Sequence, residues 1–496
     1  MGNPLEPLAK KDFDHAAAQH LLNRAGFGGT PAQVRAIADL GLDDAVDYLV
    51  EFQGERVSNA GLDFRGDIMR SPTPEEREAE RRARQAGDEE TILRLQRARQ
   101  QRERDDRAQL GRMQRWWLGR MIETGRPLEE KLTLFWHGHF ATGYRTIENS
   151  WHMLAQNGFF RSNCAGSFVD LAHGIIRDPA MLKYLDNDEN RRRSPNENLA
   201  RELLELFTLG EGAGYTERDI KEGARALTGL TFRDNEFLFD TREHDAGPKT
   251  ILGRTGNFSG DEFVGIVLGR PQCARFLAAK LHRFFVNDAP GLSRDALEAV
   301  ERLAKELRDR RYAIRPALRT LFRSRHFYAA ENRQAVVKSP VQLVVQTVRS
   351  LGTPVRDLSA LSAACDLMGQ QLFQPPSVKG WDGGRSWINT ATLFVRQNVA
   401  VYLITGRRPQ AFDWDPSDAA FDASHLLAGL RDASGAVDGR EAVRNLATFV
   451  LGAPPSPERL AQLEAFLEGL PGAAVTEDRV KALLCLLCAT PEHQLC

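Results

Sequence analysis

Apolar residues recur every three to four positions along most of the chain, the spacing of helices that bury one face. Asp14 to Arg24 and Pro31 to Val50 read as two helices, parted by the glycines of Arg24-Ala25-Gly26-Phe27-Gly28-Gly29. Thr30 is the N-cap of the second, with Pro31 in its first turn. Helical patterning resumes over 108–185, including Leu128 to Trp136. Ser194-Pro195-Asn196-Glu197 predicts a helix start with Ser194 as N-cap and Glu197 closing a capping box. That helix should run to about Thr208 and stop at Gly210. Thr216 opens another, ending near Thr228-Gly229. One stretch reads as β: Leu230–Arg233 and Glu236–Phe239 flank Asp234-Asn235, a hairpin near 230–240. Residues 260–350 are again helical, and 369–390 form a loop rich in Gln, Pro, Gly and Trp. The predicted class is mainly α, a large multi-helix bundle with a small β-hairpin insertion.

The same pattern divides the chain into a helical main body over 1–405, a linker or surface excursion over 406–439, and a C-terminal helical segment over 440–496. The last should pack on the main body, because Leu483, Leu484, Leu486 and Leu487 need a partner surface. Within the body, 75–107 holds ten acidic residues and ten arginines, a balanced run expected to be a solvated helical insertion. The 496 residues are 42% hydrophobic with a formal net charge of −1, which argues against intrinsic disorder and against nucleic acid as a partner. No run reaches the ~20 apolar residues of a membrane span. No basic stretch followed by an apolar one opens the chain, so the expected location is cytoplasmic. Six cysteines form no disulfide framework, and the apolar neighbours of Cys485 and Cys488 predict buried helix thiols.

Four segments could carry chemistry. His137-Gly138-His139 offers two imidazoles of metal-ligand type, although the same residues suit a helix end with Gly138 as its cap. On the 196–205 segment, Glu197, Asn198, Arg201, Glu202 and Glu205 share one face. It is either a self-paired solvated stripe or a buried acid/base site. His244-Asp245-Ala246-Gly247-Pro248-Lys249 places an imidazole beside a carboxylate on a loop, equally suited to a site or a turn. Trp381 and Trp387, on a Pro/Gly loop, could stack on a ligand or fill a helical core. No phosphate-binding glycine loop, nucleophile elbow, His-Glu-x-x-His or dinucleotide fingerprint is present.

Taken in order, His20 to Gly28, Leu134 to Phe140, Asn196 to Gly210, Tyr215 to Gly229, His244-Asp245 with Lys249, and Gly369 to Trp387 resemble the bacterial family of unknown function numbered 1800. The resemblance implies a single, mostly helical protein, of a family in which many members look exported. It carries no established activity. It does mark Arg24, His137, His139, Glu197, Arg201, Glu202, Glu205, His244, Asp245 and Lys249 as one polar set. The leading expectation is an enzyme, a hydrolase or oxidoreductase, with Glu202, Glu205, His244 and Asp245 as catalytic groups. Its metal ligands would be His137, His139, Glu205 and His244, types that suit zinc, iron, manganese or copper. Arg24, Arg201 and Lys249, with Trp381 and Trp387, would meet an anionic or polymeric substrate. The alternatives are a polysaccharide- or peptide-binding module using the two tryptophans, or a non-catalytic helical scaffold, with a partner protein a further option. The enzyme expectation requires Glu205, His139 and His244 to converge on one cavity.

Overall fold

Side-chain caps decide where most of the helices begin. The computed structural model describes residues 2–58, 62–472 and 474–496. Helix α1 (His15–Ala25) starts at Asp14, whose carboxylate accepts from the Ala17 amide at 2.9 Å. Helix α2 (Pro31–Val50) starts at Thr30, which forms a capping box with Gln33. Thr73 and Glu76 repeat the device at α3 (Pro74–Ala86), and Asp88 caps α4 (Glu89–Glu123). Helix α5 spans Pro127–His139 and runs through Gly138, which is therefore not its cap.

The fold is mainly helical with two small two-stranded antiparallel sheets. Strands β1 (Leu230–Arg233) and β2 (Glu236–Phe239) pair as the sequence predicts, with Leu230 opposite Phe239 and Asp234 turning at φ 51°. A second hairpin, β3 (Lys249–Ile251) with β4 (Arg254–Gly256), lies outside that expectation. Its turn holds Leu252 at φ 50° and Gly253 at φ 78°, the left-handed pair a tight hairpin needs.

The 196–210 segment departs from expectation at its start. Ser194 sits in a bridge with Arg191, and helix begins only at Asn198, whose amide is held by Asn196 Oδ1. Glu197 makes no capping bond. From Leu203 to Thr208 the turns widen to a π-helix, and Gly210 ends the run at φ 95°.

The charged run is solvated where α3 and early α4 pair Glu78 with Arg81 and Arg82, and Arg99 with Glu103. Its end is not. Asp106 is buried, accepting from the Ser150 amide and hydroxyl and from Tyr144 OH. At the other end of the chain, helices Gly439–Leu451 and Glu477–Cys488 bury Leu446, Leu483, Leu484 and Leu487. These share a core with Leu351, Ala400 and Ile404. Cys488 is buried and Cys485 half-buried, and burial pushes their thiols up to about 12 and about 11. No helix among the described residues is long and apolar enough to cross a membrane.

Helix α5 is the element that positions the site. Every residue of it except Gly138 is buried. Glu130 would be intolerable there unpaired, but Arg161 binds it through two nitrogens at 2.7 and 2.9 Å. Trp117 Nε1 donates to it at 2.9 Å, and Arg120 adds a further bond.

Candidate functional site: a cation-lined cavity beside helix α5

Beside Glu130, α5 turns Lys131, Leu134, Phe135, Gly138 and His139 onto one face, the i, i+3, i+4, i+7, i+8 stripe of a helix. This face walls a cavity of about 190 Å³. The facing wall is Lys280, Arg283 and Phe284 from helix Pro271–Phe285. The 336–339 segment adds Lys338, the 370–387 loop adds Lys379, Trp381 and Trp387, and α1 adds Arg24. Six cationic side chains thus line the space, against the carboxylates of Asp288 and Asp382 and the carboxyl group of Cys496.

Carbonyl and amide oxygens fix the lysines, and Arg24 also meets the carboxyl group of Cys496. Arg24 is 1% exposed; its Nε donates to the Phe285 carbonyl at 3.0 Å and its Nη1 to the Cys496 main-chain oxygen at 2.6 Å. Its Nη2 is buried with no hydrogen-bond partner. Lys131 Nζ donates to the Gly26 carbonyl at 2.9 Å and to Gln342 Oε1. Lys338 Nζ donates to the His493 carbonyl at 2.7 Å. Burial disfavours charge on each: it brings Lys131 down to about 7 and Lys338 to about 8. Burial lowers Lys280 as well, helped by Arg283. In the same wall burial raises Asp288, whose carboxylate accepts from the Val337 amide at 3.1 Å.

Of the residues singled out in the sequence, four reach this cavity: Arg24, His139, Trp381 and Trp387. His139 Nε2 donates to the Phe207 carbonyl at 3.0 Å, leaving Nδ1 as an unpartnered buried acceptor, and burial takes the ring to about 3. His137 points elsewhere, edge-on to Trp117, Phe373 and Trp381, and burial takes it also to about 3. Trp387 is 7% exposed and Trp381 half-buried, so neither forms an open stacking platform.

The rest are held apart. Arg201 bonds Glu197 at 3.1 Å, Glu205 at 3.4 Å and Glu217 at 2.8 Å in a half-exposed network, so the stripe stays self-paired instead of turning inward. Glu202 lies beside it, its carboxyl raised by burial and by Glu205. His244 Nδ1 contacts the Thr228 carbonyl at 2.9 Å, and Asp245 pairs with Arg225 at 2.7 Å. Lys249 is spent on the Asp245 and Gly247 carbonyls of its own loop. Glu205 and His244 therefore do not meet His139 in the cavity. Among the described residues no three His, Cys, Asp or Glu side chains gather closely enough to hold a metal ion. The expected ligand set His137, His139, Glu205 and His244 is not assembled, because each has a separate structural partner or wall.

Sequence reading misses Lys131, Lys280, Arg283 and Lys338. A signal exists for Lys131: it lies on the same helical face as Leu134 and Phe135, where a solvated lysine would not be expected. None exists for Lys338, which the fold alone brings in.

A helical protein with a partly open, cation-lined cavity of small-molecule size is what these features define. The chain belongs to the DUF1800 family, described as protein of unknown function, whose model matches residues 20–495. No curated protein and no solved structure matches the chain significantly.

Proposed function

We propose that the protein is an enzyme acting on a small anionic molecule held in the α5 cavity. The observation that carries this is Arg24: a buried guanidinium with an unpartnered Nη2 on the wall of a cavity where cations outnumber carboxylates. An unpartnered buried charged donor costs several kcal/mol, and an anionic ligand is the group that would relieve it. Size narrows the class. A cavity near 150 Å³ takes benzene, so about 190 Å³ suits a ligand of roughly six to ten non-hydrogen atoms, not a polymer. Lysines lowered toward neutrality are suited to proton transfer or nucleophilic work, which favours an enzyme over a passive binder. The His/carboxylate metal site anticipated from sequence is not needed for this reading.

The scaffold alternative keeps one supporting observation: Arg201, Asp245 and Lys249 are satisfied by neighbouring side chains and carbonyls and need no ligand. The two readings separate in thermal-shift titrations with acetate, pyruvate, 2-oxoglutarate and inorganic phosphate. The enzyme reading expects at least one to stabilise the wild type and Arg201→Gln, and to leave Arg24→Gln unshifted. No stabilisation by any of them, or equal stabilisation of Arg24→Gln, overturns it.

A further inference from the structure

We infer that Lys131 is a nucleophilic amine that forms an imine with the carbonyl carbon of a small 2-oxo acid whose carboxylate is held by Arg24. This rests on the anion-binding reading of the same cavity and specifies the ligand. The hydrogen bonds of Lys131 count in its favour. Its two acceptors, the Gly26 carbonyl and Gln342 Oε1, take both hydrogens of a neutral amine and leave its lone pair free. No Asp or Glu among the described residues forms an ion pair with it. The rings of Phe27 and Phe284, at 5.0 and 5.8 Å from Nζ, favour the ammonium. The Cys496 carboxyl group also favours the ammonium, but burial outweighs it and, with the nearby Arg24 cation, brings the amine down to about 7.

The two groups then call for a ligand with an anion beside an electrophile. Arg24 Nη2 supplies the unused donor for a carboxylate, and Arg24 lies close enough to Lys131 to lower its pKa. A carbonyl adjacent to the carboxylate falls to the lysine, and a 2-oxo acid of three to five carbons is about the size the cavity holds. In the reaction, the Nζ lone pair forms a bond to the carbonyl carbon while the carbonyl oxygen takes up a proton. The resulting hydroxyl then leaves with the remaining nitrogen-borne hydrogen as water, giving the C=N bond. Lys338, charged to a higher pH than Lys131, is the cation that would face the carboxylate alongside Arg24.

The test is reductive trapping of the full-length protein with pyruvate, glyoxylate or 2-oxoglutarate and cyanoborohydride, followed by intact mass and peptide mapping. The expected result is one adduct on Lys131, of the mass of the oxo acid less one oxygen atom. From the neutral fraction alone, at about pH 7.5 it should form about six-hundredfold faster than on exposed lysines such as Lys305. Its rate should rise as pH passes about 7 and then level, and excess phosphate should suppress it. Adducts spread over surface lysines in proportion to exposure overturn the inference. If an oxo acid stabilises the protein but leaves Lys131 unlabelled, the imine inference fails and the anion-binding reading stands. If none stabilises it and none labels Lys131, both fail.

Discussion

Replacing Lys131 with methionine should change how stability depends on pH, in a direction opposite to that of a paired lysine. Burial lowers Lys131 in the folded protein to about 7, against an unfolded value near 10.4, a difference worth about 5 kcal/mol. The sign follows from which state binds the proton. Below about pH 7 both states hold it, and the folded state carries the full cost of a buried ammonium. Between about pH 7 and 10.4 only the unfolded state holds it, so that cost falls by about 1.4 kcal/mol per pH unit. A methionine side chain has no such dependence, and Lys338 and the other groups are common to both proteins. Wild type should therefore gain about 3 kcal/mol on the Lys131→Met variant between about pH 7 and about pH 9.5. At about 2.1 cal/mol/K per residue over 496 residues, that is roughly 3 °C in Tm. The bonds lost to Gly26 and Gln342 lower the variant's Tm by a constant amount and leave the slope untouched. Paired melting curves by circular dichroism across this range measure it. A Tm difference that stays constant would refute the picture of Lys131 as a desolvated, unpaired amine.

Other consequences follow from the same contacts. Glu130→Gln takes the carboxylate from the buried Arg161 guanidinium and one of two from Arg120, which keeps Glu129 at 3.7 Å, and should lower unfolding free energy by about 3–5 kcal/mol in urea; a loss under about 1 kcal/mol would contradict the geometry of α5. Arg201→Ala removes three half-exposed ion pairs and should cost about 1 kcal/mol or less in the same assay, since such pairs are solvent-screened. A loss of several kcal/mol there would revive the buried-stripe expectation. Phosphate affinity, measured by calorimetry, should weaken about tenfold from about pH 6 to about pH 9 as Lys338 loses its proton. A flat profile would take Lys338 out of the anion site.

Much of the fold is legible because its signals are local. The Thr30 cap, the Thr216 start and the Asp234-Asn235 turn act over three or four residues, and all appear as the sequence predicts. Ser194 fails as a cap because the Arg191–Ser194 bridge engages it before helix begins. The β3–β4 hairpin escapes sequence reading because its strands are three residues long, too short for alternation to show. The candidate site is least legible. Polar residues close in sequence, such as His244 and Asp245, suggest a site but are satisfied by Thr228 and Arg225 beside them. The cavity instead draws Arg24, Lys131, Lys280 and Lys338 from four distant elements, and isolated lysines carry no spacing signal.

Whether the cavity holds an anion at Arg24 is tested most directly by anomalous diffraction from crystals soaked in selenate, a tetrahedral anion with its own absorption edge. A selenium peak within hydrogen-bonding distance of Arg24 Nη2, lost in Arg24→Gln crystals, is the expected result. Selenium peaks confined to surface lysines and arginines, with none in the cavity, would contradict it.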